Sequence, residues 1–231
     1  MHNIMNNNGR FLVVSSALFI IAVFQPGPAT YAQDDTSSVS SHFVFPEFIK
    51  GKVKMKNGIT EAAILNYNVL TEEMIFESDS QRLALEKIET IDTVYIGSRK
   101  FIPHDKVFYE VLIDDTVSLF VRHKLNILPS GSPSGYGGTT ETGAAHSISH
   151  LVNSGNIYNL ELSSDYHLTD ASQFWITLHS SSFRITSERQ ILKLFPEISG
   201  DLKQFIIENH LDIKKQRDLL LLIMRCNEML H

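Results

Sequence analysis

From Lys50 to Lys56 a lysine alternates with a smaller or apolar residue, the chain turns at Asn57-Gly58, and a second run, Thr60 to Asn68, follows without lysines. That pattern predicts a β-hairpin, since Asn-Gly suits the tight turn of a twisted two-stranded ribbon. A two-residue loop would oppose Val53 to Ala62, Gly51 to Ile64 and Met55 to Thr60 on an apolar face. The other face would pair Lys54 with Glu61, Lys52 with Ala63 and Lys50 with Leu65, because side chains alternate sides along a strand. Lys50, Lys52, Lys54 and Lys56 then share one side.

Further strand signals run over Ala62 to Asn68, Glu73 to Ser78, Arg82 to Glu86 and Thr93 to Gly97, separated by polar turn residues such as "SDSQ". They read as an antiparallel meander. In "KVFYEVLIDDTVSLFVRH" a tight loop at Asp114-Asp115 would oppose Tyr109 to Phe120, Phe108 to Val121 and Leu112 to Val117. Both faces of that ribbon carry large apolar groups and need cover. A sandwich, a curled half-barrel or a sheet with helices on one side satisfies this.

Residues 129–156, "PSGSPSGYGGTTETGAAHSISHLVNSGN", change composition to glycine and serine and read as a flexible, disordered loop or linker. Were the segment a lid, Tyr136 would be its aromatic contact. Strand signals return at Ile157 to Leu162 and Gln173 to His179, with Phe174, Ile176 and Leu178 on one side and Trp175, Thr177 and His179 on the other. A serine turn leads on to Phe183 and Ile185. The period then becomes helical. Ser187 with Gln190 forms a capping box for a short helix stopped by Pro196, and a second helix spans about Asp201 to His210 with Leu202, Phe205 and Ile206 together. A third, about Lys214 to Leu230, carries Leu219, Ile223, Cys226 and Leu230 as a stripe beside Leu220 and Met224. It predicts a buried helix, with room for a homodimer through the same element. The expected class is α+β, an antiparallel meander, sandwich or curled sheet followed by a small helical segment. The domain plan is 33–128 sheet, 129–156 loop, 157–186 further strands and 187–231 helices.

Upstream of the sheet, Arg10 precedes the 14-residue apolar run Phe11 to Phe24, and "QPGPATYAQ" follows. This is the layout of a secretory signal peptide over residues 1–32, with cleavage expected after Ala32 and delivery to the periplasm or the medium. The run is shorter than the roughly 20 residues a bilayer-spanning helix needs, so no transmembrane segment is expected in the mature chain. Without residues 1–32 the chain keeps 19 Lys and Arg against 26 Asp and Glu, a net charge of −7. That balance, with no clustered basic surface, argues against a nucleic-acid partner. Cys226 is the only cysteine, so no internal disulfide can form and the exported chain must be held by its core.

Candidate chemistry is sparse. Gly131-Ser132-Pro133-Ser134-Gly135 has proline where a nucleophile elbow needs serine, and no phosphate loop or dinucleotide fingerprint occurs. His146 and His150 have the spacing of zinc ligands on a helix, yet they lie in the glycine- and serine-rich segment without a partner cysteine or glutamate. No catalytic residue, metal site or cofactor is assigned. The lysines carry the remaining signal. The first expectation is that Lys50, Lys52 and Lys54 guard an outer strand against edge-to-edge pairing, with Lys54 and Glu61 as a weak ion pair. The second is an anion-binding face for lipid headgroups or acidic glycans, and the third a contact with an acidic partner protein.

The combination of "FIKGKVKMKNG", "LNYN", "MIF", the "YGG" segment and "ILKLFPEISGDLKQFIIENHLDIKKQRDL" resembles a loose family of exported proteins of Gram-negative bacteria to which no function is assigned. The resemblance implies export and a β-rich body with a helical C-terminus, and it supplies no active residues. The expectation from the sequence is a non-enzymatic binding or scaffold protein of the cell envelope, its partner an unidentified envelope protein. The alternative is a periplasmic carrier of lipid or another amphiphile, suggested by apolar groups on both faces of a sheet that could curl around a ligand.

Overall fold

The computed structural model describes residues 42–129 and 166–230. The cleavage site after Ala32, Tyr136, His146, His150 and the strand expected over Ile157 to Leu162 all lie outside these residues.

Within the described residues, alternating sequence becomes strand where it was expected, and in three places more. The strands are β1 (Ile49–Met55), β2 (Thr60–Asn68), β3 (Glu73–Ser78), β4 (Gln81–Ala84), β5 (Ile91–Ile96) and β6 (Arg99–His104). They continue with β7 (Val107–Ile113), β8 (Val117–Arg122), β9 (Leu125–Pro129), β10 (Tyr166–Asp170), β11 (Gln173–Leu178) and β12 (Ser181–Arg184). Strands β6, β9 and β10 are the additions. Ten of the twelve form one antiparallel sheet in the order β12-β11-β8-β7-β6-β5-β1-β2-β3-β4, and β9 pairs with β10. Two meanders, β1 to β4 and β5 to β8, are thus joined side by side through β1 and β5, and the β11–β12 hairpin extends the sheet beyond β8.

The sheet curls without closing. β3 returns to lie against β7, and the Tyr67 hydroxyl donates to the Phe108 carbonyl across the gap at 3.4 Å. The concave side is filled by Val53, Leu65, Tyr67, Met74, Val94, Ile96, Phe101 and Phe108, all buried, with Tyr67 stacked on Phe101 at 5.9 Å. Gly51 sits where two strands approach closely. A Cβ there would come within 2.4 Å of the Tyr95 carbonyl oxygen and 2.7 Å of Leu65 Cδ1, so the curl at this point requires glycine.

Where β8, β11 and β12 leave the curl, helices cover the same side. These are α1 (Glu188–Leu194), α2 (Ser199–Glu208) and α3 (Gln216–Leu230). Ser187 caps α1 by accepting from the Gln190 N–H at 3.3 Å, as the capping box predicts. Val117, Leu119, Ile176 and Ile185 meet Ile191, Phe195, Leu202, Ile206, Leu219, Leu222, Ile223 and Cys226 in a second core. Each such side chain, fully buried, contributes about 1.5–3 kcal/mol. The stripe of α3 differs from expectation at its end. Leu222 and Asn227 are buried in it, whereas Met224 is 52% exposed and Leu230 40% exposed. In the last turn Met229, not Leu230, packs against the second core.

Cys226 is fully buried, and burial pushes its thiol up to about 12. Since the thiolate is the reactive form, alkylation of native protein should be orders of magnitude slower than in denaturant, and equal rates would contradict this packing. Between the ordinary thiol value of 9.0 and about 12 the unfolded chain ionises while the native thiol stays neutral. Stability therefore declines through that window by about 1 kcal/mol per pH unit from this group.

Two registers depart from those read off the sequence. In the first hairpin the Met55 N–H donates to Ile59 O at 2.8 Å and the Gly58 N–H to Met55 O at 2.9 Å, so the loop has three residues, Lys56-Asn57-Gly58, with Gly58 at φ +90°. The pairs become Lys54 with Thr60, Val53 with Glu61, Lys52 with Ala62, Gly51 with Ala63, Lys50 with Ile64 and Ile49 with Leu65. A one-residue slip exchanges the two faces of the partner strand, so Leu65 joins Val53 in the core, and Ala62 and Ile64 join the lysines. In the second hairpin Val111 pairs with Phe120 and Glu110 with Val121, and a bulge follows before Ile113. That slip is even in number, so Tyr109 and Phe120 still share one face and Phe108 and Val121 the other.

Candidate functional site

The lysine strand lies in the interior of the sheet, not at its edge. β1 is hydrogen-bonded to β2 on one side and β5 on the other, so Lys50, Lys52 and Lys54 cannot serve as edge guards. The edges are β4 and β12, each of four residues, and their shortness limits edge-to-edge pairing instead. The expected Lys54–Glu61 pair is also absent, because Glu61 stands opposite Val53 on the other face. Lys54 reaches Asp92 at 2.9 Å. Their hydrogen bond raises the ammonium and lowers the carboxyl from their ordinary values.

Lys50 and Lys52 differ from Lys54. Neither has an ion-pair partner among the described residues, and both line an open groove of about 940 Å³ on the convex face. Its floor is Gly51, Ala62 and Ala63, its walls Ile64 and Tyr95, and Glu77, engaged by Arg82 at 3.2 Å, stands at one end. Tyr95 is 40% exposed and pairs directly with Lys52 across the β1–β5 ladder. The site residues named from sequence thus separate: Lys50 and Lys52 line the groove, Lys54 is held by Asp92, and Tyr136 lies outside the described residues. Tyr95 was missed. Its signal was an aromatic between the inward-facing Val94 and Ile96, which alternation places outward.

Farther along the convex face, aromatic side chains cluster. His104 stacks on Tyr109 with ring centroids 4.7 Å apart and an angle of 11°, and Tyr109 lies 5.9 Å from Trp175. Burial raises the Tyr109 hydroxyl above its ordinary value even against the nearby Arg122. Arg122 in turn donates to Glu72 from Nε at 3.0 Å and from Nη2, with Lys124 at 3.5 Å, tying the β2–β3 turn to the end of β8. The Glu72 hydrogen bond raises the Arg122 guanidinium further.

A second charged group lies on the concave face. Glu110 accepts from both arms of Arg99 and meets His123 Nε2, and the Arg99 guanidinium rests over the Phe45 ring at 4.9 Å. Burial by itself would raise the Glu110 carboxyl. Hydrogen bonds from His123 and Arg99 and their charges reverse this and hold it below the usual carboxylate range. Each charge in the group is spent on another, which makes it a fastening between β6, β7 and the segment after β8. Among the described residues no group of three or more His, Cys, Asp or Glu side chains could hold a metal ion, and no helix is long and apolar enough to cross a membrane.

No family model, curated protein or solved structure matches the chain.

Proposed function

We propose that this protein is an exported binding protein of the cell envelope that engages an anionic ligand through the convex face of its sheet, with Lys50, Lys52 and Tyr95 as contacts. The observation behind this reading is the groove of about 940 Å³ in which two lysines have no ion-pair partner among the described residues. Lysine is a poor strand former, so cations repeated along an interior strand need another reason to be there once edge protection is removed. Anion recognition supplies one, and Tyr95 and Ile64 add apolar contact beside the charges. Export rests on the N-terminal sequence, where a short apolar run precedes small residues.

Retention on a sulfated-dextran column at low salt tests the reading. The native chain, despite a net charge of −6, should be held, and Lys50→Gln with Lys52→Gln should elute early. Lys203→Gln, an exposed cation on α2, should elute with the native protein. The double variant should keep its stability to within about 0.5 kcal/mol per site, as surface substitutions do. Unchanged retention of the double variant would remove the groove as an anion site.

One observation favours a carrier as a second reading. Although the curled interior is packed, its mouth opens between the tips of β1–β2 and β3–β4 into a cleft of about 810 Å³. Val53, Phe76, Leu83, Leu85 and Ile91 line it, with Glu61, Glu77 and Glu86 among its polar groups. Native mass spectrometry of protein purified from the periplasm decides this reading. A co-purifying amphiphile lost on Leu83→Asp supports it, and a bare chain sets it aside.

A further inference from the structure

The strand registers place a single row of side chains across the convex face. Lys52 of β1 stands beside Tyr95 of β5, and Tyr95 beside Lys100 of β6. Lys100 opposes Val111 of β7, which opposes Phe120 of β8. Phe120 opposes Trp175 of β11, and Trp175 opposes Arg184 of β12. Directly opposed residues of antiparallel strands project to the same side, so these seven form one line perpendicular to the strands. Six steps between strands make it about 30 Å long. No bulge interrupts it, because the irregularities of the β1–β5 and β7–β8 ladders lie outside the pairs that compose it.

The composition of the line is unusual for a solvated sheet face. Cations stand at both ends and once in the middle, and Tyr95, Phe120 and Trp175 are set between them. Lys52 and Arg184 are exposed, Tyr95 is 40% exposed, and Val111, Phe120 and Trp175 are half-buried. The three helices pack on the opposite side, against Val117, Leu119 and Ile176. Asp114 holds Lys100 at 2.7 Å, which leaves Lys52, Arg184 and the flanking Lys50 as the cations without an ion-pair partner among the described residues.

We propose that this row is the binding track of an extended acidic polysaccharide, its sugar faces stacked on the aromatic rings and its carboxylates met by Lys52 and Arg184. The inference rests on the anion-binding reading above and names its ligand. Three features select a glycan. The track is linear and long, as an extended sugar chain is. Its cations are separated by aromatic and apolar side chains, which suits a ligand that alternates charge with apolar C–H faces. Its charge density is low, whereas a nucleic acid with a phosphate at every step is met by clustered basic side chains.

Trp175 is the sole tryptophan of the chain, so its fluorescence reports on the far end of the track directly. Hyaluronan oligosaccharides of increasing length, which carry one carboxylate per disaccharide, should bind the full chain more tightly as they lengthen, and only the longer ones should change Trp175 emission. By calorimetry, Tyr95→Ala should weaken the long oligomer roughly tenfold, as loss of an aromatic anchor does, and Trp175→Phe, which keeps a smaller ring, should weaken it by less. Tyr95 is exposed enough that its variant should fold normally, and circular dichroism checks both. If short and long oligomers bind equally and Trp175 stays silent, while Lys50→Gln with Lys52→Gln abolishes binding, the groove stands and the track falls. If no oligomer binds, the glycan assignment falls, and retention on sulfated dextran shows whether the anion site survives it. If oligo-dT binds as tightly as the acidic glycan with the same dependence on Tyr95 and Trp175, the track serves single strands and the proposal is overturned.

Discussion

Replacing Glu110 with Ala should lower the unfolding free energy by about 3 kcal/mol, the lower end of the range for breaking a buried ion pair. Glu110 is buried and accepts from Arg99 and His123 on the concave side of the sheet. Its removal strands two partners. The guanidinium of Arg99 is 31% exposed and can be partly rehydrated, which keeps the loss from the upper end. For a domain of this size the melting temperature should drop by about 10 °C. Glu110→Gln should cost less, because an amide still accepts from Arg99, and it should also alter the pH profile. The native carboxyl is held below the usual carboxylate range, so its contribution is complete above that range and is lost as pH falls through the depressed value. Urea unfolding at a series of pH values should show a shallower acid limb for the Gln variant. A variant as stable as the native chain at neutral pH, with an unchanged acid limb, would mean that the three groups do not interact in solution.

Asn227→Ala should destabilise by about 2–4 kcal/mol, from two buried backbone groups left without partners at roughly 1–3 kcal/mol each. The side chain of Asn227 behaves like a fragment of strand. Its Oδ1 accepts from the Val117 N–H at 2.8 Å and its Nδ2 donates to the Val117 carbonyl at 3.0 Å. Val117 begins β8 beyond the last pair of the β7–β8 ladder, Ile113 with Leu119, and Asn227 supplies both hydrogen bonds there from α3. Leucine at this position should be little better than alanine, since volume alone cannot answer the two polar groups. Aspartate should be destabilising near neutral pH, because a carboxylate accepts from Val117 N–H but confronts its carbonyl oxygen without a proton to donate. Lowering the pH should narrow the gap between Asn227→Asp and the native protein. Equal urea midpoints for Asn227→Ala and the native chain would show that α3 is not pinned to β8 by this contact.

Local pattern determined a good deal of this protein. Alternation along Val94, Tyr95 and Ile96 set which side chains face in, the Ser187–Gln190 box started α1, and the helical period from Leu219 to Cys226 placed the thiol in the core. These signals sit within a few residues of one another, and the backbone geometry of strand or helix converts spacing directly into a face. The two-residue slip of the second hairpin left its faces intact as far as Val111, where the bulge turns Ile113 toward the side of Leu119.

The proposed binding surface was decided elsewhere. One additional loop residue, Lys56, shifted the first hairpin by one position and exchanged the faces of β2, an effect no composition reveals because Asn-Gly suits both loop lengths. The pairing of Gly51 with Ile96, 45 residues away, made β1 an interior strand and removed the edge-guarding role of its lysines. Glu110 and Asn227 carried no sequence signal at all. A polar residue in an apolar run becomes a fastening only when the partners that satisfy it, Arg99 and His123 for one and the Val117 backbone for the other, arrive from distant segments. The row from Lys52 to Arg184 is likewise a product of six strand registers, and only the assembled sheet brings its members into line.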